Sequence, residues 1–247
     1  MRSAWFSIFD FSFDYKGPEP PFINPADFAW ANEIKLNSDD IKKELYQYLS
    51  KNDLKSYFNE SMVSRQNSWR TISLKTWNIE LFKNQKEFPI TTALINKHSQ
   101  IISASFNLLE PNSKIHPHCG DTNAIYRCHL GLQIPSGLPE CGFRVKNETK
   151  EWQNGEWLIF MDAYNHEAWN NTAKERYIFL IDVIRDDYYD KRFNIGATVL
   201  TSLFIQKWSG KFNVKLDDYP MIVKIGATMI KPFAKLSVYA VNLIKLF

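Results

Sequence analysis

The stretch HPHCGDTNAIYRCHLGL, residues 116–132, decides how the chain is read. It joins the end of one strand-like run, KIHPH, to most of another, AIYRCHLGLQIP, across the turn signal CGDTN. Three of the five histidines in the chain, His116, His118 and His129, fall within it. His166 follows in YNHEAW, and His98 stands apart in INKH.

The same texture continues on both sides. QIISASFNLLEP, CGFRVKN, EWLIFMDAYNHEAW and RYIFLIDVI are further strand-like runs, separated by EPNS, PSGLPE, QNGE and NNTAKE. Before residue 100 the pattern is different. NSDDIKKELYQYLSKN predicts a helix, with Ser38 as its cap and Asp39 and Asp40 at its positive end. FPITTALINKH predicts a shorter helix, SWRTISLKTW a strand between the two, and residues 1–36 an aromatic, proline-bearing lead-in. Many short strands after a helical half predict a mainly β fold with flanking helices, an antiparallel barrel or jelly roll buttressed by N-terminal helices.

Composition narrows the class. A chain with 45% hydrophobic and 15% aromatic residues is a folded protein. A net charge of +3 is too slight to argue for nucleic acid. No run reaches the ~18 uncharged apolar residues of a membrane span, and the apolar start lacks a signal-peptide pattern. Cys119, Cys128 and Cys141 have no CxxC spacing, so reduced thiols and a cytoplasmic location are expected. No GxSxG, P-loop or HExxH element occurs.

A single histidine in such a strand is ordinarily a hydrogen-bonded core or rim residue. The combination points further. His118 ends one run at a glycine turn, His166 lies in or just after another, and strand ends on a jelly roll can converge at one mouth. Imidazoles brought together there, opposite a buried arginine, would suit a redox metal with an anionic co-ligand. Structural zinc would want a closed set of four ligands, which the cysteine spacing does not offer.

The ordered pieces PHCGDTN, YRCHLGLQIP, CGFRVKNETKEW, GEWLIFMDAYNHEAWNNT and RYIFLIDV resemble the aspartyl/asparaginyl β-hydroxylase family of iron(II)- and 2-oxoglutarate-dependent dioxygenases. Weaker similarity through FNESMVSRQNSWRTISL extends the resemblance to roughly residues 30–190. It implies a double-stranded β-helix, the jelly-roll or cupin-like core, in an oxygenase domain over 1–193 with core motifs in 100–185. His118, in an H-x-G element, and His166 are implied as the iron ligands. Gly120 stands where most related oxygenases carry a carboxylate, as in the peptide-hydroxylating branch, so water would fill that place. Asp121, one residue on, points elsewhere on a strand or turn. On this reading Gly120→Ala should bind iron much as the parent does.

For 2-oxoglutarate, the resemblance implies Arg176 as the grip on the far carboxylate, where a planar guanidinium binds bidentately. Arg127 and His129, two apart and so on one strand face, match residues at the near end. A surface salt bridge is the plainer alternative for Arg127. Asn107 replaces a serine common in the family. Asp162, four before His166, is a candidate for orienting a metal ligand or the water without itself binding the metal, or else an ordinary turn acid. His116 is expected at the outer rim.

From Tyr219 to Phe247 the chain has four lysines and no acidic residue. On a helical wheel Ile222, Ile225, Met229, Phe233, Leu236, Ala240, Leu243 and Phe247 share one side, and Lys224, Lys231, Lys235 and Lys245 the other. The expectation is a helical extension over 194–247, kinked or split at Pro232. It either packs on the domain or a second copy, or meets an anionic membrane peripherally. The leading expectation for activity is hydroxylation of an aspartyl or asparaginyl side chain in a peptide or protein, with iron(II), 2-oxoglutarate and dioxygen. The alternatives are a hydroxylase of a lipid acyl chain or small molecule at a membrane surface, and a catalytically inactive jelly-roll binding module.

Overall fold

A computed structural model describes residues 3–10, 15–212 and 214–244. Its strands are β1 (Phe22–Ile23), β2 (Lys55–Ser56), β3 (Trp69–Thr76), β4 (Ile79–Glu80), β5 (Ile101–Leu109), β6 (Ser113–His118), β7 (Ile125–Gln133), β8 (Cys141–Val145), β9 (Glu148–Lys150), β10 (Trp157–Phe160), β11 (His166–Asn170) and β12 (Arg176–Ile184). The helices are α1 (Ala29–Leu36), α2 (Ser38–Leu49), α3 (Phe82–Gln85), α4 (Pro89–Asn96), α5 (Arg192–Lys211) and α6 (Pro220–Ile244).

From β5 onward the chain winds between two antiparallel sheets. β5, β7, β10 and β12 belong to the larger sheet, ordered β1-β10-β7-β12-β5-β3-β2 with β4 on β3. β6, β8, β9 and β11 form the smaller one, ordered β6-β11-β8-β9. This alternation is the double-stranded β-helix, and the mainly β fold with flanking helices is what the molecule has. β12 is buried on both faces, which is why RYIFLIDVI reads as an almost continuous apolar run. One of its faces meets the smaller sheet through Leu109, Ile115, Phe143, Phe160, Ala168 and Ile178. The other packs Phe179 and Ile181 with Phe106 and Leu130 beneath Trp30, Ile34, Ile41, Leu45 and Ile95 of the N-terminal helices.

Several local expectations need correction. Residues 29–36 are helical, with Trp30, Ala31 and Ile34 on the buried face, so the lead-in ends earlier than its aromatic and proline content suggested. Ser38 is the first residue of α2 and Asn37 precedes it, without a side-chain cap. EWLIFMDAYNHEAW is two strands, because residues 161–165 turn the chain from the larger sheet to the smaller. α6 runs unbroken through Pro232. Pro232 and Thr228, whose carbonyl loses its helical partner to the proline ring, are both exposed, so water can satisfy that oxygen. The apolar stripe of α6 faces solvent, while Val223, Ala227 and Val238 are its buried residues among those described. Lys245, Phe247 and the side chain of Leu243 lie outside the described residues. Cys128 and Cys141 are buried and free of disulfides.

Candidate active site

β6 ends on His118 and β11 begins on His166, and the two are direct cross-strand partners. Convergence therefore comes from strand pairing in the smaller sheet, which sets the imidazole centroids 4.2 Å apart. His118 Nδ1 lies 2.8 Å from the His116 carbonyl, and His166 Nδ1 lies 2.8 Å from the Tyr164 carbonyl. A carbonyl can only accept, so each Nδ1 carries the proton and each Nε2 is left as a lone pair. Burial pushes both pKa values down to about 3, and for His118 the neighbouring His166 adds to the effect. Both rings are thus neutral near pH 7, the state in which imidazole binds a metal. His116 is exposed at the rim.

The turn between β10 and β11 delivers Asp162 into the same place. Its carbonyl accepts the Gly120 N–H at 2.8 Å, and its Oδ1 lies 2.8 Å from Arg127 Nη1 and 3.8 Å from His166 Nε2. The Arg127 contact is an ion pair without hydrogen-bond alignment, so both carboxylate oxygens lack a hydrogen-bond partner among the described residues. A Cβ at Gly120 would stand 1.8 Å from Asp162 Oδ2 and 2.7 Å from its carbonyl oxygen. The space a side chain at 120 would occupy is thus filled by the carboxylate of Asp162. The expectation that Gly120→Ala binds iron much as the parent does took no account of this contact, in which even a methyl group would collide with Asp162. Asp162 is also no ordinary turn acid, at 1% exposure.

Arg127 is not in a surface salt bridge. It donates Nε to Asp182 Oδ1 at 2.7 Å and Nη2 to Oδ2 at 3.1 Å, while Nη1 faces Asp162. Asp182 is its register partner on β12, which explains the fork. Burial alone would lower the guanidinium pKa, but the two aspartates more than offset it. Burial raises the Asp162 and Asp182 pKa values, with Arg127 opposing.

His129 lies two residues along β7 and belongs to a second group. Its Nδ1 accepts the Trp152 indole N–H at 3.3 Å, and Phe143 and Phe160 pack edge-on against its ring. Desolvation, helped by Arg176 and Arg127, holds its pKa well below the ordinary value. The Arg176 guanidinium stacks over Trp152 at 4.5 Å. It is 1% exposed, and its Nε and Nη1 have no hydrogen-bond partner among the described residues. Burial lowers its pKa to about 10, which still leaves it charged near neutrality. A buried cation without an anion is costly, and that cost disappears when an anion occupies the space beside it.

Asn107, on β5, accepts the Trp69 indole N–H at 3.0 Å and donates to Ser105 Oγ at 2.9 Å. It lines a cavity of about 710 Å³ shared with His118, Gly120, Asp121, Arg127 and Asp182. His166, His129 and Arg176 are not in that lining. The cavity is closed on another side by Leu203 and Gln206 of α5, Leu216, and Val223 of α6. Asp121 turns away from the histidines and accepts from Ser202 at 3.3 Å and Gln206 at 3.4 Å, tying the β6 end to α5.

Two participants were missed in the sequence. Trp152, fully buried between His129 and Arg176, had as its only signal a place in KNETKEW. The contribution of α5 and α6 to the cavity had no local signal at all.

The sequence profile of the aspartyl/asparaginyl β-hydroxylase family matches residues 35–186. An ornithine lipid ester-linked acyl 2-hydroxylase of Rhizobium tropici is 29% identical over 231 residues, covering 87% of this chain and 82% of that protein. Human aspartyl/asparaginyl β-hydroxylase is 40% identical over 98 residues, covering 40% of this chain and 12% of that protein. Among solved structures, a cupin 2 conserved barrel domain protein from Salinispora arenicola superposes with a TM-score of 0.35 at 10% identity, covering 57% of this chain and 87% of that one.

Proposed function

We propose, from the premise that this chain belongs to the aspartyl/asparaginyl β-hydroxylase family, that it is an iron(II)- and 2-oxoglutarate-dependent hydroxylase. The observation that carries the reading is the pairing of two neutral imidazoles, each with Nε2 unprotonated, with a buried guanidinium whose Nε and Nη1 have no hydrogen-bond partner among the described residues. These residues fit the two groups. His118 and His166 would hold the iron. Arg176 would take the far carboxylate of 2-oxoglutarate, with His129 and Trp152 walling its path and Arg127 and Asn107 towards the near end.

When bound with 2-oxoglutarate and dioxygen, the metal would supply the oxidising chemistry for converting C–H to C–OH, one oxygen atom going to the product and the other to succinate as the cosubstrate loses CO2. The chain's residues do the rest. The carbonyls of His116 and Tyr164 fix both imidazole tautomers, which leaves both Nε2 lone pairs available to a metal. Asp162 offers two unaligned acceptor oxygens beside them, suited to hold a water by its protons where most related oxygenases carry a carboxylate. Arg127, pinned by Asp182, keeps Asp162 in place and opposes the rise in its pKa that burial causes. Phe143, Phe160 and Trp152 exclude bulk water from His129 and Arg176.

For the substrate, the acyl chain of a lipid is favoured by the apolar wall that Leu203, Leu216 and Val223 give the cavity. The R. tropici relative, named for an acyl 2-hydroxylase, is similar over 87% of this chain. An aspartyl or asparaginyl side chain is the second reading, favoured by Gly120, the peptide-branch residue at the carboxylate position. The test is incubation with iron(II), 2-oxoglutarate and air of separated lipid and peptide fractions, read by mass spectrometry. One added oxygen on a fatty acyl chain is the expected product, coupled to succinate release. The same mass gain confined to peptides would replace the lipid by the second reading. Succinate release that does not depend on iron would overturn the class.

A further inference from the structure

α6 has two apolar faces, and the fold uses only one. Val223, Ala227 and Val238 are buried against the rest of the chain. Ile222, Ile225, Met229, Phe233 and Leu236 point away from it, between 58% and 72% exposed. The neighbouring α5 adds Phe204, Trp208 and Phe212, also exposed, with ring centroids 6.0 and 5.8 Å apart along the row. Folded monomers rarely leave this much apolar surface uncovered, so something covers it.

Charge selects the cover. Residues 204–244 carry six lysines against two aspartates, and α6 has no acidic residue. A second copy of the same surface would set lysines against lysines, which opposes self-association. A sheet of anionic headgroups complements the lysines, while acyl chains receive the apolar stripe and tryptophan and tyrosine suit the boundary between them. No helix among the described residues is long and apolar enough to cross a membrane, so the arrangement is one that lies on a surface.

We propose that the outer face of α5 and α6 docks the protein on an anionic lipid bilayer. The inner side of the same helices supplies Leu203, Gln206 and Val223 to the cavity beside His118, so docking holds that cavity next to the bilayer. The proposal deepens the lipid reading above, but the docking itself needs neither metal nor turnover.

The experiment is flotation of the full chain, without iron or 2-oxoglutarate, on phosphatidylcholine vesicles with or without about one-third phosphatidylglycerol. Binding should be at least about tenfold tighter to the anionic vesicles and should weaken with salt. Phe233→Glu with Leu236→Glu should lose about tenfold or more in affinity. Lys224→Glu with Lys235→Glu should also lose at least about tenfold, at roughly fivefold per charge. Because all four side chains are exposed or at the surface, each pair gives a separate reading if the other misfolds. Equal binding to both vesicle types, no flotation, or variants that float like the parent would overturn the proposal. So would a dimer in the absence of lipid that the Phe233 and Leu236 changes dissociate, since the cover would then be a second copy. Iron(II) binding measured on the same proteins tells a failed docking surface from a failed iron site.

Discussion

Strand β12 and helix α6 are both rich in apolar residues, yet their polar residues mean different things. β12 is covered on both faces, so Arg176 and Asp182 on it are 1% and 3% exposed and each would be costly without a partner. Asp182 has Arg127, while two nitrogens of Arg176 have no hydrogen-bond partner among the described residues. On α6 the apolar stripe is uncovered, and Lys224 and Lys235 sit in solvent at little cost. A buried polar group identifies what it awaits by its own chemistry. An exposed apolar group shows only that a partner is missing, and charge must say which.

The largest expected effect lies at the buried end of this contrast. His118→Ala and His166→Ala should each cut turnover by at least ~100-fold, because neither position can be filled by a neighbour. Vesicle flotation of both variants should match the parent. His116→Ala should keep most activity. If His116 proved essential and His118 dispensable in a steady-state assay, the pairing across β6 and β11 would not be the metal site.

Arg176→Ala comes next. A bound dianion would lose its charge-assisted partner in a buried pocket, at ~2–5 kcal/mol. The 2-oxoglutarate concentration for half-maximal turnover should rise accordingly, with Arg176→Lys only partly restoring it, since a point charge cannot reproduce the fork. Titration calorimetry giving equal cosubstrate affinity for parent and Arg176→Ala would refute the assignment.

Much of this was legible in the chain because it is local. Strands alternate or run apolar according to how many faces are covered, so β5, β7, β8 and β12 stood out by pattern. His118 and His166 lie at strand ends beside turn signals, and Arg176 opens an apolar run. What stayed hidden depends on contacts between distant segments. α1 is helical because Trp30 and Ile34 find a core built mostly of later residues. Trp152 acquires a role only when β7 and β12 bring His129 and Arg176 to it. The outward face of α6 could not be read from its wheel, which shows a stripe but not which side the domain covers.

Gly120→Ala tests one of those hidden contacts, with a middle-sized effect. The new methyl group would overlap the Asp162 carboxylate, which is fixed by Arg127, and crowd a backbone carbonyl that holds the β6 end. Overpacking of this kind costs ~1–3 kcal/mol in a thermal melt. Displacing Asp162 should lower turnover ~10- to 100-fold. A variant as stable and active as the parent would show that Asp162 can leave without consequence.

The smallest effect concerns Asp121, where the two regions meet. Burial, then the charge of Asp162, raises its pKa to about 7, while Arg127 and its partners Ser202 and Gln206 on α5 pull the other way. In the unfolded chain the group titrates near 3.8. Between these values the folded state binds more protons than the unfolded one, so this group's contribution to stability falls as pH rises from about 4 to 7 and is constant above. His118 and His166 act in the opposite sense. Their folded pKa values, about 3, lie below the ordinary 6.5, so their contribution rises over much of the same window. The total profile therefore hides Asp121, and a difference is needed. Asp121→Asn removes the titration but leaves a side chain that can still accept from Ser202 and Gln206. The melting temperature of Asp121→Asn relative to the parent should climb from pH 4 to pH 7. Because the group is partly exposed, the climb should be about 2 °C or less. A difference that is flat across this window, or that falls, would mean that Asp121 is held ionised by α5, and that the helices grip the β6 end through charge.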